Sequence, residues 1–167
     1  MPMLSAPDCD LVPAKSEHDT FLKHLFFEIQ RQANGQLPLP PDVLRDFLGR
    51  QFEAQATSYT QHFPAAQNMI LMRRGDAIGR LLVDLSGTPL HIVDLAVLPA
   101  CQSKGLGAQA IQAVLDHAAE TGCDVSLRVL EGQRAQALYA RLGFRVSETE
   151  QPYTTMVWSP VQDTTML

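Results

Sequence analysis

The apolar positions of this chain repeat first at the spacing of a helix and then at that of a strand. A short run from Cys9 to Ala14, with Leu11 and Val12, reads as a first strand. Ser16-Glu-His-Asp19 reads as a helix N-cap with an acidic third position, and Phe21, Leu22, Leu25, Phe26 and Ile29 follow at helical spacing. Asn34-Gly35 is a stop signal. Gln36 to Pro41 forms a stiff proline-rich connector. Asp42 then caps a second helical stripe of Val43, Leu44, Phe47, Leu48 and Phe52, predicted to run to about Tyr59. Beyond it the period falls to two. Gln67–Arg73, Ala77–Leu85 and Leu90–Leu98 read as three strands, separated by turns at Arg74-Gly75-Asp76 and Ser86-Gly-Thr-Pro89.

A long amphipathic helix follows, with Leu106, Ala110, Ile111, Val114, Leu115 and Ala118 on one face and Gly122 at its end. Asp124–Leu130 is a strand. Gly132 or Gln133 to Leu142 is a helix ended by Gly143. A strand starts at Phe144–Ser147, and Tyr153–Trp158 is expected to close the sheet. This order (strand, two helices, three strands, helix, strand, helix, two strands) predicts an α+β fold with a mainly antiparallel sheet. With 167 residues the chain is expected to form one domain over 9–160, with 1–8 disordered and 161–167 a loose tail.

Composition narrows the function only a little. No apolar run is long enough to span a membrane, and the first residues do not have the pattern of a secretory signal. Cys9, Cys101 and Cys123 have no metal-ligand spacing, so free thiols in a reducing, cytoplasmic compartment and no metal are expected. The net charge of −5 argues against a nucleic-acid surface and mildly suits a cationic substrate.

The informative stretch is Val97-Leu-Pro-Ala-Cys-Gln-Ser-Lys-Gly-Leu-Gly-Ala108, which leads from a strand into the long helix. The first turn of a helix carries unpaired N–H groups and the positive end of the dipole, and glycines let an anion approach the backbone. A diphosphate is the anion this arrangement suits best. Gly105-Leu-Gly107-Ala-Gln-Ala110 fits the dinucleotide pattern G-x-G-x-x-G/A, but too little chain follows to build the large parallel sheet that pattern belongs to.

Gln102-Ser-Lys-Gly105-Leu-Gly107 also fits Q/R-x-x-G-x-G/A, and Ala135-Gln-Ala-Leu138-Tyr139-Ala-Arg-Leu-Gly143-Phe144 fits A-x-x-L-Y-x-x-x-G-F. Together, and in this order, they resemble the two signatures of the GNAT N-acetyltransferases over roughly residues 67–158. The resemblance implies the GNAT fold, with a splayed pair of parallel central strands. It implies a coenzyme-binding core in 67–158 and an acceptor side in 9–66, where Gln55, Tyr59, His62 and Phe63 become candidates for contact. It also implies acetyl transfer from acetyl-coenzyme A, the cosubstrate, to a small-molecule or peptide amine. The alternative of the same fold is a regulatory protein that holds coenzyme A without turnover. A homodimer through the C-terminal strands, using Met156-Val-Trp158, is a further expectation.

Residue roles carried by the resemblance are these. Ala96, Val97 and Leu98 pair with the pantetheine arm, and a backbone N–H near Val97 bonds the acetyl oxygen. The diphosphate rests on Gln102, Ser103, Lys104 and Gly105, and on the helix start at Leu106, Gly107 and Ala108. Tyr139 is the general acid toward the coenzyme sulfur. The family's asparagine six or seven residues earlier is replaced here by Gln133 or Gly132. His91 is a candidate general base, with Asp94, Glu131 and water left open. Strict alternation along Leu90–Leu98 would place His91 and Asp94 on opposite faces.

Overall fold

The computed structural model describes residues 4–35 and 37–160; the tail after Pro160, Gln36 of the connector and residues 1–3 lie outside them. The elements are β1 (Asp10–Pro13), α1 (Asp19–Asn34), α2 (Pro41–His62), β2 (Gln67–Arg73), β3 (Asp76–Asp84), β4 (Leu90–Val97), α3 (Leu106–Thr121), β5 (Val125–Leu130), α4 (Arg134–Arg141), β6 (Arg145–Glu150) and β7 (Tyr153–Trp158). They form a seven-stranded sheet in the order β1-β2-β3-β4-β5-β7-β6. Every pairing is antiparallel except β4 with β5. This is the GNAT fold.

The apolar periods account for the layers. The predicted face of α3 is buried from Leu106 to Ala118, against Leu81, Val83, Leu90 and Ile92 of the sheet. Each Leu, Ile or Val of that face contributes about 1.5–3 kcal/mol by leaving water. By contrast α1 buries Leu22 and Leu25, and α2 buries only Leu48. Gly35 ends α1 with φ 65°, and Arg74 and Gly75 (φ 53° and 84°) form a two-residue hairpin between β2 and β3.

Several expectations are corrected. Residues 4–8 are packed, not disordered. Leu4 is buried in the core, and Asp8 exchanges hydrogen bonds with the Gln109 side chain, backbone N–H to Oε1 at 2.9 Å and Nε2 to carboxylate at 2.7 Å. Ser16–His18 form a separate short turn, so α1 begins at Asp19. Asp42 is not the cap of α2; Pro40 holds that place, with Pro41 at the first helical position, where the missing N–H costs nothing. Strand β7 does not close the sheet. It runs between β5 and β6, which leaves Met156 buried and puts β6 at the edge. That edge, Arg-Val-Ser-Glu-Thr-Glu, is exposed throughout and charged, a composition that discourages strand pairing between copies.

Candidate active site

Strands β4 and β5 pair over only three residues: Leu90 with Val125, His91 with Ser126 and Ile92 with Leu127. Both strands continue, β4 to Val97 and β5 to Leu130, so they diverge from there on. The divergence coincides with a bulge. On β3, Leu82 pairs with Asp94 and Val83 with Ile92, so Val93 has no opposite number. One extra residue reverses the alternation beyond it. Leu90 and Ile92 face α3, and so do Leu95 and Val97, whose side chains lie against Gly107. His91 and Asp94 therefore share the other face, toward α2, contrary to strict alternation.

The bulge also fixes which backbone groups reach the gap. Leu98 N–H donates to Ile78 O at 2.8 Å, so that group points to β3. Successive residues alternate direction, which turns Val97 and Leu95 toward the side where β5 has departed. The Val97 carbonyl accepts from Gln102 Nε2 at 2.9 Å. Gln102 in turn exchanges amide hydrogen bonds with Gln32 of α1, at 3.0 and 3.1 Å. Gln32 carries no motif, and nothing in its local sequence marks it.

Below the gap lies the glycine loop. Ser103 and Gly105 have φ 65° and 79°, and Gly105 is the N-cap of α3, which no side chain caps. A methyl group on Gly105 would meet nothing within 4 Å. One on Gly107 would touch Leu95 Cδ2 at 3.4 Å, an ordinary contact, in keeping with the alanine the motif permits there.

A cleft of about 1060 Å³ runs from α1 across these groups to α4. Of the residues expected to hold a coenzyme, Ala96, Val97, Gln102, Ser103, Gly105, Leu106, Gly107, Ala108 and Gln133 line it, whereas Leu98 and Lys104 do not. Gln133 is the N-cap of α4, and its side chain does not cap that helix. Tyr139 also lines the cleft. It is 8 % exposed and packs edge-on against Phe144 at 5.8 Å. Burial, reinforced by the Asp94 carboxylate, pushes its phenol up to about 12.

Among the described residues Asp94 is the only carboxylate lining this cleft, and it is paired with the Arg80 guanidinium from β3. The guanidinium lies over the ring of Tyr59, 5.6 Å from its centroid. Burial pushes the Tyr59 phenol up to about 12 as well; Asp94 adds to the shift and Arg80 opposes it. His91 sits where the strands still pair. Its Nδ1 is 2.8 Å from Ser126 Oγ, and the Phe63 ring stacks on it at 5.2 Å. Burial lowers its pKa, Asp84 opposes this and Arg128 adds to it. His91 does not line the cleft, and neither does Glu131, which accepts from Gln151 Nε2. His62 bonds back to the Ser58 carbonyl at 2.9 Å. Arg80 is the residue that sequence reasoning missed most plainly; it lies in an ordinary strand with no motif around it. Among the described residues no cluster of His, Cys, Asp and Glu forms a metal site, and no helix is long and apolar enough to cross a membrane.

The family model of the acetyltransferase (GNAT) family matches residues 37–144. Among solved structures the fold is similar to PaiA N-acetyltransferase from Thermoplasma acidophilum in complex with coenzyme A. The TM-score is 0.70 at 12 % identity, over 92 % of this chain and 99 % of that one. An acetyltransferase from Thermus thermophilus gives 0.66 at 20 % identity, over 92 % and 98 %. A GNAT-family acetyltransferase from Bordetella pertussis gives 0.59 at 20 % identity, over 96 % and 100 %. At such identities the likeness is one of fold. No curated protein sequence matches significantly.

Proposed function

Because the chain belongs to the acetyltransferase (GNAT) family, we propose that it moves the acetyl group of acetyl-coenzyme A directly to a primary amine, with both substrates bound in one ternary complex. The observation that carries this reading is the parting of β4 from β5 after Ile92 and Leu127. It leaves a strand edge facing a cleft that also holds a buried tyrosine and an uncapped helix N-terminus.

The residues divide the work as follows. Amides of Gln102 and Ser103, those from Gly105 to Ala108, and the dipole of α3 receive the diphosphate. The open edge at Leu95 and Val97 takes the pantetheine amides, with the Gln133 side chain as a further partner. The Val97 N–H, held in place because Gln102 grips the carbonyl of the same residue, bonds the thioester oxygen, where negative charge develops. Asp94 takes a proton from the substrate ammonium and passes it to solvent. The neutral amine then adds to the carbonyl, and the tetrahedral intermediate collapses with loss of the thiolate and of the second nitrogen proton, which passes to solvent. Tyr139, kept protonated by its burial, gives its proton to that sulfur, and its phenolate is then reprotonated from solvent. His91 lies outside the cleft, so we assign it to holding Ser126 and Phe63 rather than to proton removal. A cytoplasmic location belongs to the same proposal.

The experiment is a steady-state assay of Tyr139→Phe with any amine the wild type acetylates. A loss of roughly 100-fold in kcat with unchanged affinity for acetyl-coenzyme A is expected for a missing general acid. An undiminished kcat overturns the assignment.

A further inference from the structure

A second pocket, of about 480 Å³, lies between α2 and the β2–β3 hairpin. That volume is in the range of small-molecule sites. Its roof is a stripe of Phe52 and Tyr59 from α2 with Phe63 just past the helix end, none of which is fully buried; beyond Leu48 no residue of α2 enters the core. The stripe thus covers a space instead of filling one. The pocket adjoins the coenzyme cleft, and Arg80 lines both.

The floor carries two buried polar atoms without hydrogen-bond partners, Asn68 Oδ1 and Arg80 Nε. Asn68 pairs with Leu82 and Ile70 with Arg80, so Asn68 and Arg80 are diagonal neighbours on one face of the sheet. One atom accepts and the other donates. Buried polar groups are rarely left in this state, and a site that leaves them so is built for a ligand that supplies both complements. An amide does so. The guanidinium is a rigid planar fork, and Arg80 uses Nη2 to hold Asp94. The positions for the reacting amine, at Asp94, and for the amide, at Nε–H, are therefore only a few bonds apart. The mouth bears Asp19 and Glu53, and the positive charge of Arg80 is already committed to Asp94, so a free carboxylate is unwelcome.

We infer that this pocket binds the body of the acceptor, and that the acceptor is an α-amino amide with an apolar or aromatic side chain, as in an amino-acid amide or the first residue of a peptide. The inference rests on the acetyl-transfer reading. The amine meets Asp94, the amide meets Arg80 Nε–H and Asn68 Oδ1, and the side chain lies under Phe52 and Tyr59.

The test measures acetylation of phenylalaninamide, a tripeptide amide beginning with phenylalanine, phenylalanine, phenethylamine and 1,4-diaminobutane, with acetyl-coenzyme A binding followed separately by calorimetry. Phenylalaninamide or the tripeptide amide should exceed the other three at least 10-fold in kcat/KM, and the better of the two tells a small molecule from a chain end. Asn68→Leu should raise KM for the amides at least 10-fold, and by a clearly larger factor than it raises KM for phenethylamine. If Asn68→Leu does not fold, Phe52→Ala replaces it and should penalise phenylalaninamide more than alaninamide. Preference for the diamine or the free amino acid overturns the inference, as does an equal loss toward phenethylamine in Asn68→Leu or toward alaninamide in Phe52→Ala. Failure to bind acetyl-coenzyme A overturns the acetyl-transfer reading beneath it.

Discussion

Tyr139 and Tyr59 are both kept un-ionised far into the alkaline range, chiefly because their phenols are shielded from water. An unfolded tyrosine titrates near 10. Between pH about 10 and 12 the native chain therefore keeps protons that the unfolded chain releases, and stability must fall as pH rises through that window. For Tyr139 the loss is on the order of 2 kcal/mol. Urea unfolding from pH 9 to 12 should show it, and Tyr139→Phe should flatten the slope; an unchanged slope would place the phenol in water. The roles of Asp94 and His91 separate by mutation. Asp94→Asn should lower kcat at least 100-fold, whereas His91→Gln should cost less than about 5-fold, since general-base catalysis is worth at least about 100-fold. The opposite ranking in a steady-state assay would return the base to His91. A motif marks Tyr139 in the sequence, and the residue lines the cleft. The Asp94–Arg80 pair was not legible there, because it joins two strands whose register no local pattern records.

At the scale of elements, the bulge at Val93 governs the site. It brings Asp94 round to the α2 face and falls where β5 departs. Periodicity found every strand and helix within a few residues, since a stripe of apolar side chains announces itself. It missed the bulge, because an extra residue is defined only against the partner strand. It also placed β7 at the end of the sheet, because chain order says nothing of which strand is inserted between two others. Gly79 secures β3 against the Val97 end of β4. A Cβ there would lie 2.5 Å from the Ala96 carbonyl and 3.3 Å from Val97 Cα, both backbone. Gly79→Ala should thus destabilise the fold by about 2 kcal/mol or more and raise KM for acetyl-coenzyme A by displacing the Val97 edge. A variant with wild-type melting and KM would show that the two strands yield freely.

Over the whole molecule the packing is lopsided. One dense layer, α3 on the sheet, holds the core, while α2 rests on the other face with a single buried side chain. The larger cleft reaches from α1 to the dense layer at Val97 and the start of α3, whereas the smaller pocket lies under α2. That the chain binds a coenzyme at all is the central claim, and thermal melting with acetyl-coenzyme A, coenzyme A and NAD, each at about 100 times a typical dissociation constant, tests it most directly. Binding to the native state alone should add about 2.7 kcal/mol and raise the midpoint by roughly 5–10 °C with both coenzyme A forms and not with NAD. A shift with NAD alone, or with none of the three, would contradict the account.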